Sequence, residues 1–124
     1  MKKINLSAAE WEIMSLLWEN EPMTAVQVTD AFAADKSWTR TTVISFLKRM
    51  EAKNAVSYKK EKSAREYFTI VKREDVAVSE TKAFLDRMYK GSISMMISTL
   101  IDRKALSKED INELSDILKK AKKG

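Results

Sequence analysis

The 124 residues contain no histidine and no cysteine. That excludes the usual general base, the usual nitrogen ligand for a metal and all thiolate chemistry. What remains is a run of hydroxyls and cations. Thr39, Arg40, Thr41, Thr42, Ser45, Lys48, Arg49 and Lys53 fall within fifteen consecutive positions, just after Trp38. On a helical wheel of about 100° per residue, Val43, Phe46, Leu47 and Met50 share one face. Thr41, Ser45, Lys48 and Ala52 then lie opposite, flanked by Thr42, Ile44 and Arg49. Small hydroxyl side chains let a helix backbone sit deep in the major groove of double-stranded DNA, where hydroxyls and methyls meet base edges. Arg40, Lys48, Arg49 and Lys53 stand where phosphates would run. Trp38 and Thr39 precede the first turn, whose free N–H groups are phosphate donors.

Charge is segregated along the chain. From Lys36 to Arg65 nine basic residues stand against Glu51 and Glu61, a net charge of +7. From Ser7 to Asp35 there are six acids and no lysine or arginine. A net charge of +5 over the whole chain would mean little; a basic block beside an acidic one aims the field at a polyanion. Each feature has a plain alternative: a cap and an ordinary helix start for the threonines, a solvated face for Lys48 and Arg49, partial burial for Trp38. Together they favour DNA binding, because the positive charge collects on one helix and on a hairpin tip carrying Lys62 and Arg65.

The elements that must position these residues can be read from caps and periods. Ser7-Ala8-Ala9-Glu10 is a capping box followed by Trp11, Met14, Leu17 and Trp18 on one face, which predicts a helix over 8–19 closed by Asn20-Glu21-Pro22. Thr24 to Gln27 is a second box and predicts a helix over 25–34 with Val28, Ala31 and Phe32 inward. Thr39 caps a third helix over 40–53. The period then changes to two. Val56 and Tyr58, then Phe68 and Ile70, predict two strands around a basic loop from Lys59 to Arg65, with Phe68 and Ile70 packed on the helices. Three helices and a hairpin in this order are a winged helix-turn-helix, so residues 1–72 form the expected DNA-binding domain.

Residues 73–124 are the second expected domain. Ala77, Thr81, Phe84, Leu85 and Met88 mark a helix over 74–89, and Gly91 breaks it at a left-handed position. Ile93, Met96, Ile97, Leu100 and Ile101 follow helical spacing, and Ser107 caps a last helix with Ile111, Leu114, Leu118 and Ala121 on one face. A lobe of about 50 residues buries such stripes poorly alone. A second copy of the chain is the expected cover, with Phe84, Leu85, Met88, Met96, Leu100, Leu114 and Leu118 at a homodimer interface. The basic tail Lys119 to Lys123 reads as a solvated helix end.

Composition narrows the classes further. The chain is 44% hydrophobic with three tryptophans, unlike a disordered polycation. Met1-Lys2-Lys3 could open a signal peptide, but Glu10 and Glu12 interrupt any apolar run, and no stretch approaches the roughly 18 apolar residues of a membrane span. A reducing cytoplasm fits the lack of cysteine. Acids scattered on helix faces and the lack of a glycine-rich phosphate loop argue against an enzyme, and no cofactor or metal is expected. A winged helix serving as a protein-interaction module is the rival class; non-specific coating of nucleic acid is another.

The segment from Trp38 to Asn54, W-T-R-T-T-V-I-S-F-L-K-R-M-E-A-K-N, resembles the recognition segment of the penicillinase repressor (BlaI/MecI/CopY) family of winged-helix transcriptional regulators. Ser7 to Met14 resembles that family's start, and Met88 to Ser92 the end of its fourth helix. The similarity covers nearly the whole chain. It implies a homodimeric transcriptional repressor whose winged helices bind a pseudo-palindromic operator and whose C-terminal helices form the dimer. Asn54 stands where the family has glycine, and asparagine is the next best residue for a positive φ. The paired cysteines of the copper-responsive branch are missing, so metal sensing is not expected. Met96 to Ile101, the stretch corresponding to the penicillinase branch's cleavage region, lacks an Asn-Phe-like pair.

Overall fold

Ser7 and Thr24 start the first two helices in the same way. Ser7 N–H donates to Glu10 Oε1 at 2.8 Å while Glu10 N–H donates to Ser7 Oγ at 3.2 Å. Thr24 and Gln27 repeat the exchange at 2.9 and 3.2 Å. These boxes open α1 (Ala8–Asn20) and α2 (Ala25–Ala31), and Thr39 caps α3 (Arg40–Ala52). The computed structural model describes residues 4–124; Met1 to Lys3, the start of any signal peptide, lie outside the described residues.

The second helix is shorter than its sequence pattern. Beyond Ala31 the chain tightens into turns, with Ala33 N–H donating to Asp30 O at 3.2 Å and Lys36 N–H to Phe32 O at 2.8 Å. Ala31 is exposed rather than inward, while the Phe32 ring reaches Trp38 with centroids 4.9 Å apart. That aromatic contact takes the place of another helical turn. At the far end of α3, Asn54 adopts φ 63°. Its N–H donates to Glu51 O at 3.0 Å and Ala55 N–H donates to Met50 O at 2.9 Å, a Schellman stop completed without glycine.

The hairpin differs from expectation in two respects. β1 (Val56–Glu61) and β2 (Ala64–Thr69) pair antiparallel as far as Glu61 with Ala64, so only Lys62 and Ser63 make the turn. Lys62 takes φ 55°, the sign required at the first turn position of tight hairpins. Residues 59–61 and 64–65 carry no strand signal in the sequence, because a ribbon with water on both faces needs no apolar alternation. The buried face also belongs to Tyr67, not to Phe68 and Ile70: Tyr67 is 3% exposed and Ile70 52%. Met23 fixes this register through a two-way backbone bridge to Tyr67, at 3.0 and 2.8 Å. A one-residue slip flips every side chain, so Val56, Tyr58 and Tyr67 form the inward row.

Around these elements lies one core. Ile13, Met14 and Leu17 of α1 meet Val28, Val43, Leu47, Met50, Val56 and Tyr67. Ile4 and Leu6 enter from the irregular stretch before α1, and Val76 enters from the first turns of α4 (Arg73–Tyr89). The Trp18 indole N–H donates to Val71 O at 2.9 Å. This first compact unit ends at Ser79, inside α4, rather than at the expected boundary after residue 72, because Val76 belongs to its core.

The second unit is Glu80–Gly124. It holds the end of α4, then α5 (Ile93–Asp102) and α6 (Lys108–Lys123). The first of these ends in two left-handed residues, Lys90 at φ 51° and Gly91 at φ 81°, so the stop begins one residue ahead of the expected glycine. Neither α5 nor α6 has a buried residue. The fold is thus mostly α with a two-stranded antiparallel hairpin: a winged helix-turn-helix followed by helices.

Candidate nucleic-acid interface

The core fixes the roll of α3. Val43, Leu47 and Met50 have no exposure, which leaves Thr41, Ser45 and Lys48 in solvent on the opposite face. On one side of that face a cleft of about 330 Å³ opens between α2, α3 and the hairpin. Arg40, Ile44 and Lys48 form its α3 wall and Arg65 its hairpin wall, with Thr24 to Val26 closing the end. The Arg65 guanidinium lies 4.4 Å from the Tyr58 ring centroid, which holds the long side chain along the ribbon. Arg40, Lys48, Lys62 and Arg65 enter no ion pair among the described residues. The structure therefore brings Arg40, Lys48 and Arg65 together, with Lys62 at the exposed turn beyond them.

The other side of α3 is different. Lys53 Nζ sits 2.7 Å from Glu10 Oε1, and Arg49 Nε 3.5 Å from Glu10 Oε2. Lys36 Nζ pairs with Glu12 at 3.0 Å. Three of the basic residues are therefore matched by acids of α1. Glu10 itself is fully buried. Burial pushes its carboxyl pKa up, but the Lys53 ammonium and the Ser7 N–H outweigh that and hold it below the ordinary carboxylate value.

The residues at the start of α3 are committed locally. Trp38 is half-buried between Phe32 and Phe46, at centroid distances of 4.9 and 5.1 Å. Thr39 Oγ1 accepts from Thr42 N–H at 3.1 Å and lies 3.0 Å from Thr42 Oγ1. Both hydroxyls thus serve the cap, while Thr41 and Ser45 remain free of any such bond among the described residues. Glu10 is the site residue that sequence reasoning passed over. Its role in the capping box concealed a second signal: Glu10, Ile13, Met14 and Leu17 share the i, i+3, i+4, i+7 stripe, so an acid occupies a core position.

In the second unit the expected interface residues divide. Leu85 is buried at 8% exposure within the single chain. Phe84, Met88 and Leu118 are exposed and Met96, Leu100 and Leu114 half-buried. Leu100 and Leu114, with Ile97, Leu106 and Ile117, line a mainly apolar groove of about 360 Å³ that Asp110 and Glu113 border. Ile93 of the predicted stripe is also exposed, as are Met95 and Ile117, which the pattern did not single out. Among the described residues no acidic cluster is suited to a metal ion, and no helix is long and apolar enough to cross a membrane.

Comparison with known proteins follows the same lines. The family model described as penicillinase repressor matches residues 6–120. The methicillin resistance regulatory protein MecI of Staphylococcus aureus (strain N315) is 27% identical over 119 residues, covering 96% of this chain and 97% of that protein. The penicillinase repressor of Bacillus licheniformis is 30% identical over 123 residues, covering 98% and 96%. Among solved structures, the monomeric form of Bacillus licheniformis BlaI in complex with the blaP half-operator superposes with a TM-score of 0.52 at 28% identity, over 60% of this chain and 93% of that one.

Proposed function

Because this chain belongs to the penicillinase repressor family, we propose that it is a DNA-binding transcriptional repressor that reads an operator with the exposed face of α3. The observation that carries this is the unpaired row on the first unit: Thr41, Ser45 and Lys48 outward on α3, with Arg40 and Arg65 facing across a cleft. Thr41 and Ser45 contact base edges in the major groove, where small side chains permit close approach. Arg40 and Lys48 meet the backbone on the cleft side, and Lys62 and Arg65 extend that contact along the hairpin. Thr39 and Trp38 act one step back, fixing the helix start that presents these groups. The related BlaI structure was solved on a half-operator, which supports the same assignment of the winged helix.

The second unit supports a homodimer. Two copies would cover the groove of Leu100, Leu114 and Ile117 and the exposed Phe84, Met88 and Leu118. A two-fold dimer reads a two-fold operator, with half-sites about one or a few helical turns apart. The test is selection of bound duplex from a random pool by the purified full chain. The expected result is a two-fold symmetric motif bound roughly 10³–10⁷ times more tightly than random duplex. No enrichment would transfer the winged helix to the protein-interaction class.

A further inference from the structure

We propose that Glu10 limits the sequence-independent attraction of the interface by withholding two cations from DNA: it ties Arg49 and Lys53 to α1, so that phosphate contacts come from the cleft side of α3 and not from both sides. This deepens the DNA-binding reading and rests on it. Lys53 Nζ and Glu10 Oε1 are 2.7 Å apart, within the range of a charge-assisted hydrogen bond. The Glu10 side chain is 1% exposed, whereas those of Lys53 and Arg49 are 37% and 59% exposed. The carboxylate is thus the buried partner, and it has few alternatives. Its Oε1 accepts from Ser7 N–H at 2.8 Å. Its Oε2 accepts no hydrogen bond, and Arg49 Nε stands 3.5 Å away. Drawing either cation to a phosphate would leave a buried charge short of its counter-charges, which is strongly unfavourable.

The consequence bears on affinity for any duplex. Each added phosphate contact steepens the salt dependence of binding by about 0.9 and carries no sequence information. Two more free cations would therefore raise affinity for every duplex alike. Cancelling them internally lowers attraction to every duplex and leaves the choice between sequences to Thr41 and Ser45. Glu10 acts through its partners, as a positioning residue. It also anchors the C-terminal half of α3, through Lys53, to the start of α1.

Glu10→Gln retains shape and an acceptor for Ser7 N–H but removes the charge. The full-length protein is titrated with its selected duplex and with a random-sequence duplex across a salt series, and eluted from heparin. Glu10→Gln is expected to steepen the salt slope by about 1–2, elute later from heparin and bind both duplexes more tightly by a similar factor. Lys53→Gln and Arg49→Gln should each leave slope and elution unchanged, whereas Lys48→Gln should lose about 1 in slope. Melting curves establish that each variant is folded; should Glu10→Gln unfold, the Lys53 and Arg49 variants decide. Lys53→Gln losing as much slope as Lys48→Gln would overturn the proposal. So would a folded Glu10→Gln with unchanged slope and elution, which marks a purely structural ion pair. Failure of the wild-type chain to prefer any duplex would refute the DNA reading, and heparin elution would still report which cations are free.

Discussion

The two units carry apolar stripes of the same helical period, yet they end in different conditions. In the first, Ile13, Met14, Leu17, Val28, Val43, Leu47 and Met50 have no exposure. In the second, Leu85 is the one buried apolar residue among those described, and Ile93, Met95, Ile101, Ile117 and Leu118 face solvent at 44–62% exposure. Period tells which face of a helix requires cover, but it does not tell where the cover comes from. The first unit has the hairpin, the N-terminal residues Ile4 and Leu6 and the start of α4 to close its core. The second has two whole helices and the end of a third, and it leaves an open groove along Leu100 and Leu114. Its stripes lack cover within the chain, which is the ground for proposing a second copy as the cover.

The comparison is broken most directly by cutting the chain. A fragment ending at Ser79 keeps Val76 and the Arg73 contacts to Glu19 and Trp18, which a cut after residue 72 removes. It should fold, sediment as a monomer, and bind a full operator ~10²–10⁴-fold more weakly than the intact chain, since linked half-sites profit from effective concentration. A monomeric intact chain, or a fragment binding the full operator equally well, would remove the second unit from operator binding. Next in size, Leu47→Ala should cost about 2–5 kcal/mol in chemical denaturation, because it opens a cavity in a closed core. Leu118→Asp should leave the unfolding of the first unit unchanged and shift the monomer–dimer equilibrium in sedimentation. Equal destabilisation of the first unit by both would make the two lobes one cooperative core.

Smaller changes sharpen the contrast within the first unit. Thr41→Val and Ser45→Ala should each cost about 1–3 kcal/mol on the selected duplex and less on random duplex, with melting unchanged. Equal losses on both duplexes would mean that the hydroxyls only place the helix.

Much of the fold was legible because its signals are local. Both N-terminal capping boxes, the Thr39 cap, the helical stripe of α3 and the left-handed stops at Asn54 and Gly91 depend on a few neighbouring residues. What was not legible depends on long-range choices. The inward row of the hairpin turns on Met23 meeting Tyr67, forty-four positions away, and Phe68 offers as good an alternation in isolation. The split among the cations is equally non-local. Lys48, Arg49 and Lys53 look alike in the sequence, and only the approach of Glu10 from α1 separates two of them from the third. The acid on the apolar stripe of α1 is the local sign of that approach, and its part in the capping box masks it.

That same acid gives the smallest effect and the one whose sign is fixed by geometry. Glu10 has a lowered pKa in the folded chain, because Lys53 and the Ser7 N–H outweigh the cost of its burial. A depressed folded value means that the unfolded chain takes up the proton first. The contribution of Glu10 to stability is therefore complete above its ordinary value of 4.5 and lost as pH falls through the lower, folded one. Denaturant melts of the wild type and Glu10→Gln should differ by a constant amount at neutral and mildly acidic pH, and the two should converge below about 4.5 as the wild type gives up this pair. The effect belongs to the first unit, so it should appear in the Ser79 fragment as well as in the intact chain. A difference that stays constant down to pH 3 would mean that the carboxylate gains nothing from its cations, and the pairing of α1 with α3 would then rest on packing alone.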